Sequence, residues 1–169
     1  TVRLENSKLP AANGRSREAS SEQDEAIADL SRAIDINPRY AEAHYNRGCA
    51  RMAKGDLLDE KGFLQEAGVE RDRALADYGR AIESDRRYAE AYNNRAAALR
   101  FHGDYDRIIA DCNEAIAIHP RYAEAFSNRA NARHAKGDFD GAVDDCTIAI
   151  GIQPQNAEAY NNRATARNS

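Results

Sequence analysis

The chain has no tryptophan, one methionine, three cysteines and four prolines among its 169 residues. Each shortage excludes something. No apolar run approaches the roughly 18 residues that a membrane span needs, so no membrane insertion is expected. Cys49, Cys112 and Cys146 are odd in number, with no C-x-x-C and no Cys/His pair at ligand spacing, which argues against a disulfide framework and a zinc site. Charge of one sign is not in excess either. Lys and Arg number 24 against 28 Asp and Glu, interspersed, and the net charge of −4 leaves no electrostatic footprint for nucleic acid. There is no G-x-S-x-G, no glycine-rich phosphate loop after a strand and no strand signal. Asp144 and Asp145 are no acid/base pair, because adjacent helix positions diverge by about 100°. His44, His102, His119 and His134 share no repeat position and are expected to be solvated singly. The chain thus reads as a non-enzyme with no catalytic residues, metal or cofactor. It starts at Thr1 without an apolar signal core, so a processed form or fragment, cytoplasmic in residence, is expected.

What is present is repetition. RYAEAHYNRG begins at Arg39, RYAEAYNNRA at Arg87, RYAEAFSNRA at Arg121 and QNAEAYNNRA at Gln155, so that one interval is long and the next two are equal. A period in the thirties means one supersecondary unit stacked on copies of itself, each unable to bury its apolar face alone. Each unit opens with an alanine-rich helix, here called first-type, ending near Gly55, Gly103 or Gly137. The Asp that follows each glycine can cap the next helix. That second-type helix starts near Asp24, Asp72, Asp106 and Asp140. In the first copy Ala26, Ile27, Leu30, Ala33 and Ile34 share one face. Pro38, Pro120 and Pro154 end three copies and Arg86 stands in the remaining one. Cys112 and Cys146, one repeat apart, fill the same small apolar slot. The expected fold is an all-α solenoid of stacked antiparallel helix pairs, with helices at roughly 22–37, 41–54, 71–85, 89–102, 105–119, 123–136, 139–152 and 157–168. Residues 1–20 are expected to be degenerate or poorly ordered. The solenoid of 21–169 divides into a half repeat (21–38), repeats at 39–86, 87–120 and 121–154, and a terminal helix (155–169).

Ala130, Ala142, Ala149 and Pro154, with Phe126 near the unit's start, and the counterparts Ala96, Ile108, Ala115, Pro120 and Tyr92, carry a resemblance to tetratricopeptide-repeat proteins of bacterial type. The resemblance implies a right-handed superhelix with first-type helices lining a concave groove, and a protein or peptide as partner.

The unit from Arg39 is longer than its siblings, the excess falling at 57–70. Two readings stand: a surface excursion, or two lengthened helices, since an excess of this size is about four helical turns. Leu57, Leu58, Phe63, Leu64 and Val69 would give the segment an apolar edge suited to a partner or to self-association.

Four series recur at fixed places: Asn46, Asn94, Asn128 and Asn162; Arg47, Arg95, Arg129 and Arg163; Glu42, Glu90, Glu124 and Glu158; Asp29, Asp77, Asp111 and Asp145. The family usually has leucine where the arginines stand, so the Arg series is expected to pair internally with the Asp series. The resemblance puts the asparagines on the groove, like the asparagine ladders of armadillo proteins, where each could pair with a peptide's N–H and C=O. Glu90 and Glu124 would form an acidic rim, with selectivity from Asn93, Arg100, Ser127, Asn131 and His134. The co-chaperone subclass grips a C-terminal carboxylate with basic residues. Here Tyr45, Cys49, Glu90 and Glu124 occupy those places, which argues against that subclass. The expected function is binding of an extended partner segment on the concave face. The alternatives are a scaffold, homo-oligomeric through end helices or the 57–70 segment, and the regulatory part of a larger enzyme.

Overall fold

The repeat units fold as the period demands. The computed structural model describes residues 10–169, with side chains from residue 21 onward, and contains eight α-helices among them. They are α1 (Pro10–Ile36), α2 (Ala41–Glu60), α3 (Leu64–Ser84), α4 (Ala89–Leu99, extended by a 3-10 turn Arg100–His102), α5 (Tyr105–Ile118), α6 (Ala123–Ala135), α7 (Phe139–Ile152) and α8 (Ala157–Arg167). α2 with α3, α4 with α5 and α6 with α7 are the antiparallel pairs of a right-handed α-solenoid. First-type helices also meet across units, α4 on α6 and α6 on α8, whereas no second-type pair packs as closely. The first-type side is therefore the tighter, inner side of the stack.

Local chemistry explains the breaks. Gly103 (φ 66°) and Gly137 (φ 82°) take the left-handed conformation after α4 and α6, and Asp104 and Asp138 then accept from the N–H of Arg107 and Gly141 to cap α5 and α7. Burial rests on small residues. Ala96, Leu99, Ile108, Cys112 and Ala132 form one cluster, and Ala130, Ala142, Cys146 and Ala166 another. Small side chains let helices approach closely, as alanine contributes packing without holding the backbones apart.

Two boundaries differ from expectation. Residues 10–20 form the start of α1, and residues 1–9 lie outside the described residues. In the long unit, α2 and α3 are lengthened, each by seven residues relative to α6 and α7, about two turns or 10 Å. The turn has moved from Lys54-Gly55-Asp56 to Lys61-Gly62-Phe63, with Gly62 now at φ 82°. Gly55 is not a helix stop but a buried point of close approach. A Cβ there would sit 3.3 Å from the Ala67 carbonyl oxygen and 3.3 Å from Arg71 Cγ. Seven residues on both sides keep the facing stripes in register, so Ala67 and Arg71 are buried and Arg71 reaches Asp56 and Asp59.

Candidate functional site

The Arg and Asp series hold each pair together. Arg95 Nε and Nη2 donate to Asp111 at 2.8 and 2.7 Å, and Arg129 to Asp145 at 2.9 and 2.6 Å. Arg47 makes the same fork to Asp77, at 3.0 and 2.7 Å. All three aspartates are buried, so the bidentate geometry offsets their desolvation. Two features escaped the sequence reading. Arg51 and Arg133, one turn on, add a second arm to Asp77 (2.8 Å) and Asp145 (2.9 Å), whereas Leu99 holds that place beside Asp111. Each series arginine except Arg95 also reaches back to the preceding unit: Arg47 to Ser31, Arg129 to Asn113 and Arg163 to Thr147. Gly79 stands at the corresponding place before Arg95. A polar residue recurring with variable identity was the signal for this.

The asparagines form a ladder within the protein. Asn94 Nδ2 donates to Tyr45 Oη at 3.0 Å, and Asn128 Nδ2 to Asn93 Oδ1 at 2.9 Å, each linking one first-type helix to the one before. Asn93 and Ser127, expected to read a partner's side chains, are instead buried at 6% and 4% in these junctions. The third rung is different. Asn156 takes Ser127, and Asn162 Nδ2 is buried with no partner. Asn46, on α2, is exposed. His44 is buried rather than solvated, its Nε2 against the Pro38 carbonyl oxygen at 3.0 Å, because its position is the aromatic one of the unit.

Beside the ladder the units leave two cavities related by the repeat. One, about 210 Å³, is lined by Arg100, Tyr105, Ile108, Asn128, Asn131, Ala132 and Ala135. The other, about 120 Å³, is lined by Ala130, Asn131, His134, Ala142, Cys146, Asn162 and Thr165. Arg100 and His134, Ile108 and Ala142, Asn128 and Asn162, and Asn131 and Thr165 occupy equivalent places in successive units. Asn131 lines both. An open cleft of about 460 Å³ lies farther along, between Tyr40, Glu42, Asp85, Arg87, Tyr88 and Glu90. Partial burial, with Glu42 and Glu90 beside it, pushes the Tyr88 hydroxyl up to about 12. Burial, then Glu90 and Glu124, does the same to Tyr122. Glu42 and Glu90 thus act on Tyr88, and Glu90 and Glu124 on Tyr122, at the starts of α2, α4 and α6.

At the tip of the α2–α3 hairpin Phe63 and Leu64 are 51% and 69% exposed, while Leu57 and Leu58 are half-buried. Among the described residues no cluster of three His, Cys, Asp or Glu could hold a metal ion, and no helix is long and apolar enough to cross a membrane.

No curated protein matches the chain. Similar solved structures include the second TPR domain of human RPAP3 in complex with the HSP70 peptide SGPTIEEVD, at 24% identity and TM-score 0.61, covering 75% of this chain and 98% of that one. The Arabidopsis OM64 TPR domain aligns at 27% identity and TM-score 0.58 over 70% of this chain and 98% of its own. MamA aligns at 19% identity and TM-score 0.67 over 99% of this chain and 85% of its own. The family description "TPR repeat" matches residues 14–55, and "Tetratricopeptide repeat" matches 78–110 and 102–157. With the helix pairs, the small-residue core and the turn prolines in place, the chain belongs to the tetratricopeptide-repeat family.

Proposed function

We propose that the protein is an interaction module that holds an extended, neutral or basic segment of a partner along the inner face formed by α2, α4, α6 and α8. The observation that carries this reading is the pair of repeat-equivalent cavities meeting at Asn131. Two like cavities one unit apart suit side chains that project from the same side of an extended chain. Asn162 Nδ2 adds a buried donor without a protein partner, and leaving such a donor unpaired costs about 1–3 kcal/mol, which a peptide carbonyl would offset. Asn94 and Asn128 hold the helices in place for this, and Asn131, Asn162, Arg100 and His134 make the contacts. The human RPAP3 domain, similar in fold, holds a peptide ending in EEVD. Here Glu42, Glu90, Glu124 and Glu158 stand at the starts of the inner helices and would repel such an acidic tail. A basic side chain suits the cleft between Tyr40, Glu42, Tyr88 and Glu90. Cys112 and Cys146, free and buried, support residence in a reducing compartment such as the cytoplasm. The exposed Phe63 and Leu64 favour a second contact surface at the hairpin tip, separate from the inner face.

A peptide array probed with wild type and with Asn131→Trp tests the reading. The indole would obstruct the wall that the two cavities share, so retention of neutral and basic peptides should be lost while the melting temperature holds. Equal retention by both proteins would sink it.

A further inference from the structure

The lengthened α2–α3 hairpin overhangs the unit that follows it. That unit turns back at Arg100–His102, and the turn meets α3 at Arg71 and Asp72. The Arg71 guanidinium lies 3.9 Å above the Phe101 ring, and His102 Nε2 is 3.0 Å from Asp72 Oδ1. The part of α3 before Arg71, which starts at Leu64, therefore stands about 10 Å proud of the turn. Helical spacing puts Leu64, Gly68 and Arg71 on the stripe of Leu75, which packs against Ala96, Leu99 and Ile108 of the next pair. Leu64 and Gly68 thus point over the turn. Leu64 is exposed, and a Cβ on Gly68 would meet nothing within 4 Å.

The result is a step with Leu64, Gly68 and Arg71 as its wall and Phe101 as its floor. Phe101 is exposed, and its place holds Ala53 in the unit before and Ala135 in the unit after. The aromatic is particular to the unit beneath the overhang. The step is also acidic. Asp56 and Asp59 of α2 hold the Arg71 guanidinium, yet the Asp56 side chain stays 62% exposed. Glu60 is exposed one turn on from Asp56, and Asp72 is 64% exposed where α3 meets the floor. These carboxylates outnumber Arg71 and Lys61, the cations of the same stretch.

We propose that the step is a docking site for a basic amphipathic helix of a protein partner. Its apolar face would rest on Leu64 and Phe101, with lysine or arginine on its flank beside Asp56, Glu60 and Asp72. The height of the step selects a helix. With its side chains an α-helix is about 10–12 Å across, so one lying over the turn fills the step against its wall. The carboxylates select the flank, since opposite charge favours the partner and like charge repels it. Two copies pairing through this step would set carboxylates against carboxylates, which disfavours a second copy as occupant. The inference rests on the second contact surface read above at the hairpin tip and needs nothing from the inner face.

Phage display of randomised helical peptides on the whole chain tests it, with affinities then measured by fluorescence anisotropy. Selected helices should carry an apolar stripe bordered by lysine or arginine. Their affinity should fall about tenfold or more in Leu64→Lys and in Phe101→Ala. Glu60→Lys should cost several-fold, and added salt should weaken binding. Leu64 and Glu60 are exposed, so circular dichroism melts of their variants should match wild type. Asn131→Trp, which alters the inner face, should leave the affinity unchanged. Loss in Asn131→Trp alone would put the helix on the inner face and overturn the proposal, with the inner-face reading intact. Acidic or uncharged helices that depend on Leu64 would overturn the basic partner and keep the tip as a contact surface. Helices indifferent to Leu64 and Phe101, or a selection that yields none, would overturn it outright. Wild-type association in sedimentation velocity that Leu64→Lys abolishes would give the step to a second copy and overturn it as well.

Discussion

Arg129 and Asp145 meet as a fork, Nε to Oδ2 at 2.9 Å and Nη2 to Oδ1 at 2.6 Å, with the carboxylate buried between α6 and α7. Arg133 supplies a third donor to the same aspartate at 2.9 Å, while Asp111 has Arg95 alone. Removing a buried carboxylate strands its arginines, a loss of roughly 3–5 kcal/mol for a broken buried pair. Asp145→Ala should therefore lower stability more than Asp111→Ala, both measured by urea unfolding. A larger loss at Asp111 would contradict the two-arm reading.

Gly48 and Tyr78 are matched in volume. A Cβ on Gly48 would lie 2.7 Å from Tyr78 Cε1 and 2.9 Å from Cδ1. In the next two units the same places hold Ala96 with Cys112 and Ala130 with Cys146. Gly48→Ala should cost about 1–3 kcal/mol through overpacking. The double variant Gly48→Ala/Tyr78→Cys should recover part of that loss, and a strictly additive double variant would refute the coupling.

Seven extra residues on each of α2 and α3 make a separable extension. Deleting 57–70 leaves Lys54-Gly55-Asp56 followed by Arg71, the same turn type as Lys136-Gly137-Asp138. The shortened chain should fold with a single cooperative thermal transition and lower total helicity. A chain without cooperative unfolding would show that the extension holds the unit together.

Alkaline pH should destabilise the fold. Burial pushes the Cys112 thiol from 9.0 up to about 12, and Tyr88 and Tyr122 from 10.0 up to about 12. The native state keeps protons that the unfolded chain releases, so this stability is present below about pH 9 and is lost as pH rises towards 12. One such group contributes a slope of roughly 1.4 kcal/mol per pH unit inside its window. Urea midpoints should fall from pH 9 upward, and Cys112→Ala should flatten the fall. An unchanged slope in that variant would remove Cys112 from the explanation.

The period, the helix pairing and the Arg–Asp forks were legible because each rests on residues repeated without change. What was not legible depends on neighbours in space. Lys54-Gly55 and Lys61-Gly62 are the same dipeptide, and only the packing of Ala67 and Arg71 on α2 makes the first helical and the second a stop. The ladder acceptors are Tyr45 and Asn93, whose unlike identities hide a shared place. Asparagine offers a donor and an acceptor equally to a peptide or to a neighbouring helix, so its repetition marked the inner face without saying which it serves. His44 likewise sits buried in the unit's aromatic slot, where its polarity pointed to solvent.

The central claim is that a partner segment lies along the inner helices at the two cavities. Side-chain amide and imidazole NMR signals, recorded while titrating a neutral or basic peptide retained on the array, test it most directly. Shifts are expected at Asn131, Asn162 and His134, with the Asn94 amide, which lines neither cavity, held by its internal bond. Shifts confined to α3, α5 and α7 or to the Phe63–Leu64 tip would contradict it.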